Sequence, residues 1–387
     1  MISFKSLFSS NFWLSLLVIL LIIKPPLFIL LNFTDSRFQN SYYFVYIIAL
    51  FFSLCTFFNS QKGLRSGLLT TLCITFLVFI GCWLSNAKSY IHESFGPLLL
   101  FMLIPLNLIQ GFKKPIYFNR LLYCAIFLHY VIGVAISYSF MLLGFGYGAD
   151  GMLTSYAISI PSACFLFLGI VEIKKRRKVL LVILSLIGIF LTFKGGSRGA
   201  LIPFIFAFII GLIHKGIKLS TLVPIAILAL VLYNSEQYLV SVLGDSRSVS
   251  AISDGSIVRT SDRVTEVWKP VLNAILQSPI WGWGCFGDRL FTIGGQWSHN
   301  LFLEIMCDFG VFIGGFFLFF ILKIFFKYCI KARNKVITVF FIMSIPQLLV
   351  SNSYLLSNYF WLFLGFTILW VKNRRQFSYN NNNLQIV

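Results

Sequence analysis

Apolar segments of about 20 residues recur along almost the whole chain, and they limit the folds that it can adopt. A segment of that length can cross the hydrocarbon core of a bilayer as a helix. A helix is the expected form because each backbone polar group is then satisfied within the segment. With 58% hydrophobic and only 11% charged residues, the chain does not have the composition of an ordinary soluble domain. The sequence therefore predicts an all-α polytopic membrane protein.

The apolar segments predict about twelve transmembrane helices within a single membrane domain, residues 1–387. The predicted spans are centred on residues 12–31, 41–58, 65–84, 95–110, 121–143, 153–171, 179–193, 199–213, 219–233, 301–322, 336–350 and 354–371. The segments at 179–193 and 336–350 are short for a span. No internal repeat is evident, which weakens the interpretation as a secondary transporter.

The basic residues predict the orientation of these helices. The net charge of +19 could indicate nucleic-acid binding, but the basic residues are concentrated in alternate loops. If the N-terminus is cytoplasmic, 21 of the 31 lysines and arginines face the cytoplasm, in groups at 5, 62–65, 113–120, 174–178, 215–218, 323–335 and 372–375. This bias is typical of a membrane protein with both termini in the cytoplasm. No nucleic-acid partner is expected.

One long polar loop, residues 234–299, interrupts the apolar pattern and by this topology faces outward. Loops of that length between helices are usually functional. Apolar residues at spacings of three and four predict an amphipathic helix from Arg263 to Leu276, capped by Ser261 or Asp262 and kinked at Pro270. Residues 278–284 have the composition of a turn. Cys285 is the loop's only cysteine, so no disulfide framework is implied. The tail, 376–387, is expected to be disordered and cytoplasmic.

A short glycine-rich turn, residues 194–200, joins two predicted spans on the outward side. Lys194 and Arg198 flank its glycines, and a helix begins directly after it. Backbone N–H groups at a helix start, together with two cations, can bind phosphate. Alternatively, the two side chains extend to lipid headgroups at the membrane edge.

Arg263 and Trp268 lie on the predicted loop helix. Arginine can hold a phosphate or carboxylate with two parallel hydrogen bonds. The structural alternative is a surface ion pair, either Asp262 with Arg263 or Arg259 with Glu266. The tryptophans of the loop can stack on sugar rings or belong to the aromatic belt at the membrane interface.

His299 lies where the loop ends and a span begins. A neutral imidazole can accept a proton from a sugar hydroxyl, and Glu304 or Asp308 could orient the ring. The simpler alternative is that His299 caps the helix or bonds to lipid. Arg289 lies in the same loop but outside these motifs, and its substitution is expected to be mild.

Together these motifs resemble the O-antigen polymerase and O-antigen ligase superfamily of bacterial envelope glycosyltransferases, best over about residues 180 to 320. In that family a Ser-Arg-Gly segment opens a span, as residues 197–199 do here. A periplasmic loop follows with an Arg, a Trp and a Ser-Pro-x-x-Gly-x-Gly run, matched by Arg263, Trp268 and residues 278–284. A His-Asn pair, matched by His299–Asn300, then begins a helix that contains a glycine-rich turn at 309–314.

The resemblance implies a C-type glycosyltransferase-like fold that acts on glycans carried by undecaprenyl diphosphate. It implies that Arg198 and Arg263 stabilise the diphosphate and that His299 activates the acceptor hydroxyl, without a metal or cofactor. Lys194, Trp268, Asn300 and Glu304 are the expected substrate-binding residues. Expected partners are the lipid-linked oligosaccharide, membrane lipids and a polysaccharide chain-length regulator. A polymerase is favoured; a ligase is the alternative, and a lipid-linked oligosaccharide flippase or other transporter fits less well.

Overall fold

The computed structural model describes residues 10–34, 41–59, 67–112, 116–142, 149–194, 197–216 and 263–372. All regular structure within these ranges is helical, as predicted. The predicted span at 219–233, the first part of the long loop and the predicted disordered tail lie outside them. Each remaining predicted span coincides with a helix.

Twelve helices follow one another within the described ranges. They are α1 (Ser10–Thr34), α2 (Ser41–Asn59), α3 (Leu68–Leu84), α4 (Lys88–Gly111), α5 (Ile116–Leu142), α6 (Ala149–Val171), α7 (Lys175–Lys194), α8 (Arg198–Leu201 and Ile202–His214), α9 (Arg263–Trp268 and Lys269–Gln277), α10 (Leu301–Lys331), α11 (Lys335–Leu348) and α12 (Asn358–Lys372). Within α4, α9 and α10, single turns widen to π-helical geometry.

Four of these helices contain stretches that are long and apolar enough to cross a membrane. They are Asn11–Leu30, Lys88–Gly111, Leu121–Ser139 and Leu301–Lys331, while five further apolar helices are 10–17 residues long. These lengths support the prediction of a membrane protein. The number of spans and their orientation stay predictions.

The chain divides into two compact units, the first formed by residues 1–126, 267–324 and 351–387. In this unit, the Pro25–Pro26 pair of α1 has no backbone N–H, so the carbonyls of Leu21 and Ile22 lose their helical donors. Side chains of α12 replace those donors: Asn358 Nδ2 bonds to the first carbonyl at 3.2 Å, and the Tyr359 hydroxyl to the second at 3.0 Å. The proline pair thus specifies where α12 packs on α1.

The second unit comprises residues 127–266 and 325–350. Here Pro161 interrupts the hydrogen bonds of α6, and His129 of α5 bonds to the carbonyl of Ala157, which Pro161 leaves without a helical donor. Helix α7 approaches α6 closely because Gly188 faces Ser162, where even a methyl group would collide with the hydroxyl. Small residues at such a crossing are typical of helix packing in membranes.

Candidate functional site

His299 lies at the junction between the long loop and α10, and its backbone has a positive φ of 51°. Few residues other than glycine adopt this conformation, although histidine is one of those enriched there. The next residue, Asn300, caps α10: its side-chain oxygen accepts from the backbone N–H of Phe302 at 3.0 Å and of Leu303 at 3.4 Å. The half-buried His299 therefore lies at the entrance to an apolar helix, next to a fixed helix cap.

The residue before His299 is held by two side chains of the loop. Asp288 Oδ2 accepts from the backbone N–H of Ser298 at 2.7 Å, and the carbonyl of Ser298 accepts from Trp268 Nε1 at 3.0 Å. Ser298 is fully buried, and Asp288 is only 1% exposed. Trp268 lies at the end of the first turn of α9, so the predicted loop helix reaches the segment that carries the histidine.

A charged pair lies buried beside this segment. Burial raises the pKa of the Asp288 carboxyl, while the hydrogen bonds from Ser298 and the adjacent Arg289 guanidinium act in the opposite direction. Burial also lowers the pKa of Arg289. Its guanidinium lies 3.6 Å from the ring centre of Trp297 and 4.9 Å from that of Tyr90. Substitution of Arg289 is therefore not expected to be mild, because it would remove the side chain that packs against these aromatic rings.

The remainder of the described loop packs on a break in α10. Gly310 has a φ of 72° and a ψ of 176°, which is not helical. Carbonyls ahead of the break are bonded by the loop: Trp283 N donates to Cys307 O at 2.8 Å, and Gly284 N donates to Asp308 O at 2.9 Å. The predicted glycine-rich turn is thus an interruption within α10, filled by the loop backbone.

The turn predicted at residues 278–284 is confirmed. Ser278 Oγ donates to the carbonyl of Gly282 at 2.9 Å, and that glycine has a positive φ of 69°. A Cβ on Gly282 would lie 2.6 Å from the backbone of Asp308, so only glycine permits this approach. The predicted amphipathic helix is also confirmed: α9 buries Val271 and Ala274.

Two carboxylates of α10 connect it to the segment before α12. Glu304 accepts from the Ser353 hydroxyl and, at 3.2 Å, from the backbone N–H of Tyr354. Asp308 accepts from the Tyr354 hydroxyl at 2.8 Å and from Gly287 N at 3.1 Å. Both carboxylates are 1% exposed. They hold α10 against its neighbours, and these bonds differ from the predicted contact with His299.

The cationic part of the predicted site is not described by the structure. The backbones of Lys194, Arg198 and Arg263 lie at the end of α7, the start of α8 and the start of α9, but their side chains lie outside the described residues. Their phosphate-binding roles stay predictions, as do the proposed caps Ser261 and Asp262, which are also outside the described ranges.

The described arrangement is suited to proton transfer at a surface. It presents a half-buried imidazole whose flanking backbone is fixed by Asp288, Trp268 and Asn300. A fixed base needs little reorganisation when a hydroxyl is presented to it. Trp281 adds an open aromatic face, since it is 77% exposed, whereas Trp297 is covered by Arg289. Sugar stacking and a place in the interfacial belt both remain open for Trp281.

The sequence did not identify two residues that hold the surroundings of the site. Asp288 bonds to Ser298, next to His299, and Ser353 bonds to Glu304 of α10. A signal for Asp288 was present, because Asp288 and Arg289 are the only Asp, Glu, Lys or Arg residues between Lys269 and Glu304. An isolated charge pair in a largely apolar stretch indicates a buried, partnered pair. Ser353 carried no comparable signal.

Comparison of the chain with protein-family models, curated proteins and solved structures gives no match.

Proposed function

We propose that the protein is an O-antigen polymerase that transfers a growing glycan from undecaprenyl diphosphate to the terminal sugar of a new lipid-linked repeat unit. The main support is the position of His299, held at positive φ between two anchored neighbours at the start of α10. Such conformations in residues other than glycine are concentrated at functional sites. The resemblance of His299–Asn300 to the family's His-Asn pair supports glycosyl transfer as the reaction.

In the proposed reaction, His299 removes the proton from an acceptor hydroxyl as its oxygen bonds to the anomeric carbon of the donor glycan. The bond between that carbon and the diphosphate oxygen breaks, and its electron pair leaves with the diphosphate. Arg198 and Arg263 stabilise the departing charge, with Lys194 assisting the first arginine. No metal or cofactor takes part in this scheme.

The structure suggests more specific roles for three of the expected substrate-binding residues. Trp268 already uses its indole N–H on Ser298, so it positions His299 while its ring remains a candidate sugar contact. Asn300 uses its oxygen as the helix cap and has its amide N–H groups left to offer a substrate. Glu304 is buried and acts as a positioning residue for α10.

Two segments that are predicted to face the periplasm bond to the long loop or to the first turns of α10 that follow it, which supports the proposed sidedness. Ser85, between α3 and α4, donates to the carbonyl of Cys285 in the long loop at 2.8 Å. The segment before α12 bonds to Glu304 near the start of α10. We propose that the site lies at the periplasmic face of the inner membrane, with both termini in the cytoplasm.

A transporter is the alternative from another class, and the break at Gly310 bears on it directly. Broken helices in transporters leave carbonyls free to bind ions. In α10, however, the carbonyls of Cys307 and Asp308 accept from loop N–H groups. This favours a structural break over an ion site. A ligase, which would use the same donor and transfer the glycan to lipid A-core, fits the same geometry.

The deciding experiment is the lipopolysaccharide banding of a deletion strain of the bacterium that carries the gene. A core bearing one repeat and no ladder is the expected result. Loss of every repeat, with polymer remaining on the lipid carrier, would indicate a ligase. An unaltered ladder would contradict both envelope activities.

Complementation then tests the site. His299→Ala is expected to lower polymer formation by roughly a hundredfold or more, because a general base contributes about that factor. His92→Ala is the matched control, since His92 is exposed near the start of α4. Arg198→Ala and Arg263→Ala should each cost roughly a hundredfold, by analogy with other groups that stabilise developing charge. Normal polymer with any of these three variants, at normal protein level, would remove that residue from the site.

A further inference from the structure

Cys285 of the long loop lies against α3, some 200 residues earlier in the chain. Its thiol lies beside that of Cys82. The same sulfur lies 3.5 Å from the carbonyl oxygen of Val78. Cys285 is fully buried and Cys82 is 7% exposed. Both are free thiols in this structure.

The contact is part of a continuous docking surface, not a chance approach of two side chains. Val78, Gly81, Cys82 and Ser85 lie at spacings of three and four, so they share one face of α3. Gly81 leaves room for the loop, because a Cβ there would lie 2.7 Å from Cys285 Sγ. The backbone of Cys285 also bonds to this face: its N–H donates to Gly81 O at 3.1 Å, and its carbonyl accepts from Ser85 Oγ at 2.8 Å.

We propose that Cys82 and Cys285 form a disulfide bond as the protein folds, which fastens the long loop to α3. A disulfide joins cysteines whose backbones already lie close together, and here Cys285 bonds to the backbone of Gly81, the residue before Cys82. Oxidation requires the periplasmic side, so the inference rests on the sidedness given under the proposed function, although not on the reaction.

The chemistry is thiol–disulfide exchange with an external disulfide, RSSR. The thiolate of one cysteine attacks RSSR and releases one RSH after protonation. The second cysteine then attacks the mixed disulfide, so that the Cys82–Cys285 bond forms and a second RSH leaves. Two thiols are oxidised, and one external disulfide is reduced.

Exchange takes place before the loop is fully docked. Once docked, the neighbouring Cys82 thiol and burial raise the pKa of the Cys285 thiol, which disfavours the reactive thiolate. The finished bond is equally shielded, since the site is closed to solvent. The disulfide would thus hold residues 284–299, including His299, on the helical scaffold.

The test is differential labelling of the full-length protein in native membranes. Membranes are dissolved in denaturant with N-ethylmaleimide, reduced, and treated with an isotopically heavy maleimide before peptide mass spectrometry. Cys82 and Cys285 should carry the heavy label, whereas Cys307, an equally buried cysteine, should carry the light one. In a Cys285→Ser variant, Cys82 should change to the light label.

The light label on Cys82 and Cys285 of the wild-type protein would overturn the inference. So would the heavy label on Cys82 in the variant, because it would indicate another partner. The lipopolysaccharide ladder is scored separately, so a missing disulfide and a missing polymerase activity are distinguishable.

Thermal unfolding in detergent supplies the second readout. Cys82→Ser and Cys285→Ser should each lower the Tm by roughly 5 °C, and the double variant should lower it no further, because one cross-link is lost in all three. Additive losses would contradict a shared bond. Cys307→Ser combined with Cys82→Ser is the matched control. Because no bond between these two cysteines is proposed, their decreases in Tm should add in the double variant.

Discussion

At the scale of single residues, the backbone of His299 favours glycine, while the proposed chemistry requires an imidazole. Its φ of 51° is costly for any residue with a Cβ. The conformation persists because Ser298 and Asn300 on either side are tied to buried or helical partners. Strain of this kind is expected where a side chain must point in a direction that ordinary backbone geometry does not provide.

Substitution of His299 by glycine should therefore separate stability from activity. His299→Gly is expected to unfold at a higher temperature than His299→Ala, by an amount that corresponds to about 1 kcal/mol, because only glycine relieves the positive φ. Both variants should lose polymer formation. Equal unfolding temperatures would contradict the strain, and retained activity would contradict the role of the imidazole.

Asp288 should give the protein a measurable pH dependence. Burial raises the pKa of its carboxyl in the folded state, so the folded protein binds the proton more tightly than the unfolded chain does. The contribution of this carboxyl to the free energy of unfolding is therefore fully present below its pKa in the unfolded chain, about 4. It is lost as the pH rises through its pKa in the folded protein.

The comparison is with Asp288→Asn, which carries no ionisable group at this position. The Tm of the wild type relative to this variant should fall between about pH 4 and the raised pKa and then level off. A difference that is constant, or that grows with pH in favour of the wild type, would contradict the raised pKa. Polymer formation by the variant reports separately on how firmly Ser298 must be held.

At the scale of elements, hydrogen-bond donors from neighbouring segments replace those missing at the breaks in helices. Side chains of α12 donate to the carbonyls left unbonded by the Pro25–Pro26 pair in α1. The backbone of the long loop does the same at the break before Gly310 in α10. Each of these hydrogen bonds fixes a contact between segments, because a buried carbonyl without a donor is unfavourable.

The break in α10 should tolerate no side chain. Gly310→Ala is expected to lower stability by roughly 1–3 kcal/mol or more, because its φ and ψ are almost exclusive to glycine and a Cβ would collide with the carbonyl of Ile280. Gly315→Ala is the matched control in the same helix: nothing lies within 4 Å of its added Cβ. It should be neutral or slightly stabilising. Thermal unfolding in detergent measures both, and equal effects would contradict the requirement.

At the scale of the whole molecule, the sidedness of the membrane protein is the property most open to direct measurement. Gln296 is exposed in the long loop, and Arg176 is exposed in the first turn of α7. The charge bias places the first in the periplasm and the second in the cytoplasm. In spheroplasts, a membrane-impermeant maleimide should label Gln296→Cys above the native-cysteine background and label Arg176→Cys only after lysis. The reverse pattern would overturn the proposed topology.

Much of the described fold was predictable from sequence because the bilayer acts on local patterns. The predicted spans coincide with helices where both are described, and the predicted loop helix and turn are present. The candidate site was less accessible. The structure brings Trp268 to the segment that carries His299. The bonds of Glu304 were not predicted, because they go to residues about 50 positions later.

The sequence by itself determined the helices, since an apolar segment of bilayer length leaves its backbone no other way to satisfy its polar groups. It also determined the glycine turn and the charge bias between loops. Only the tertiary structure decided that Cys285 meets Cys82 on α3, that Asp288 holds Ser298, and that the loop fills the break in α10. These contacts join distant parts of the chain, and they depend on helix packing, which has no period that a local pattern could reveal.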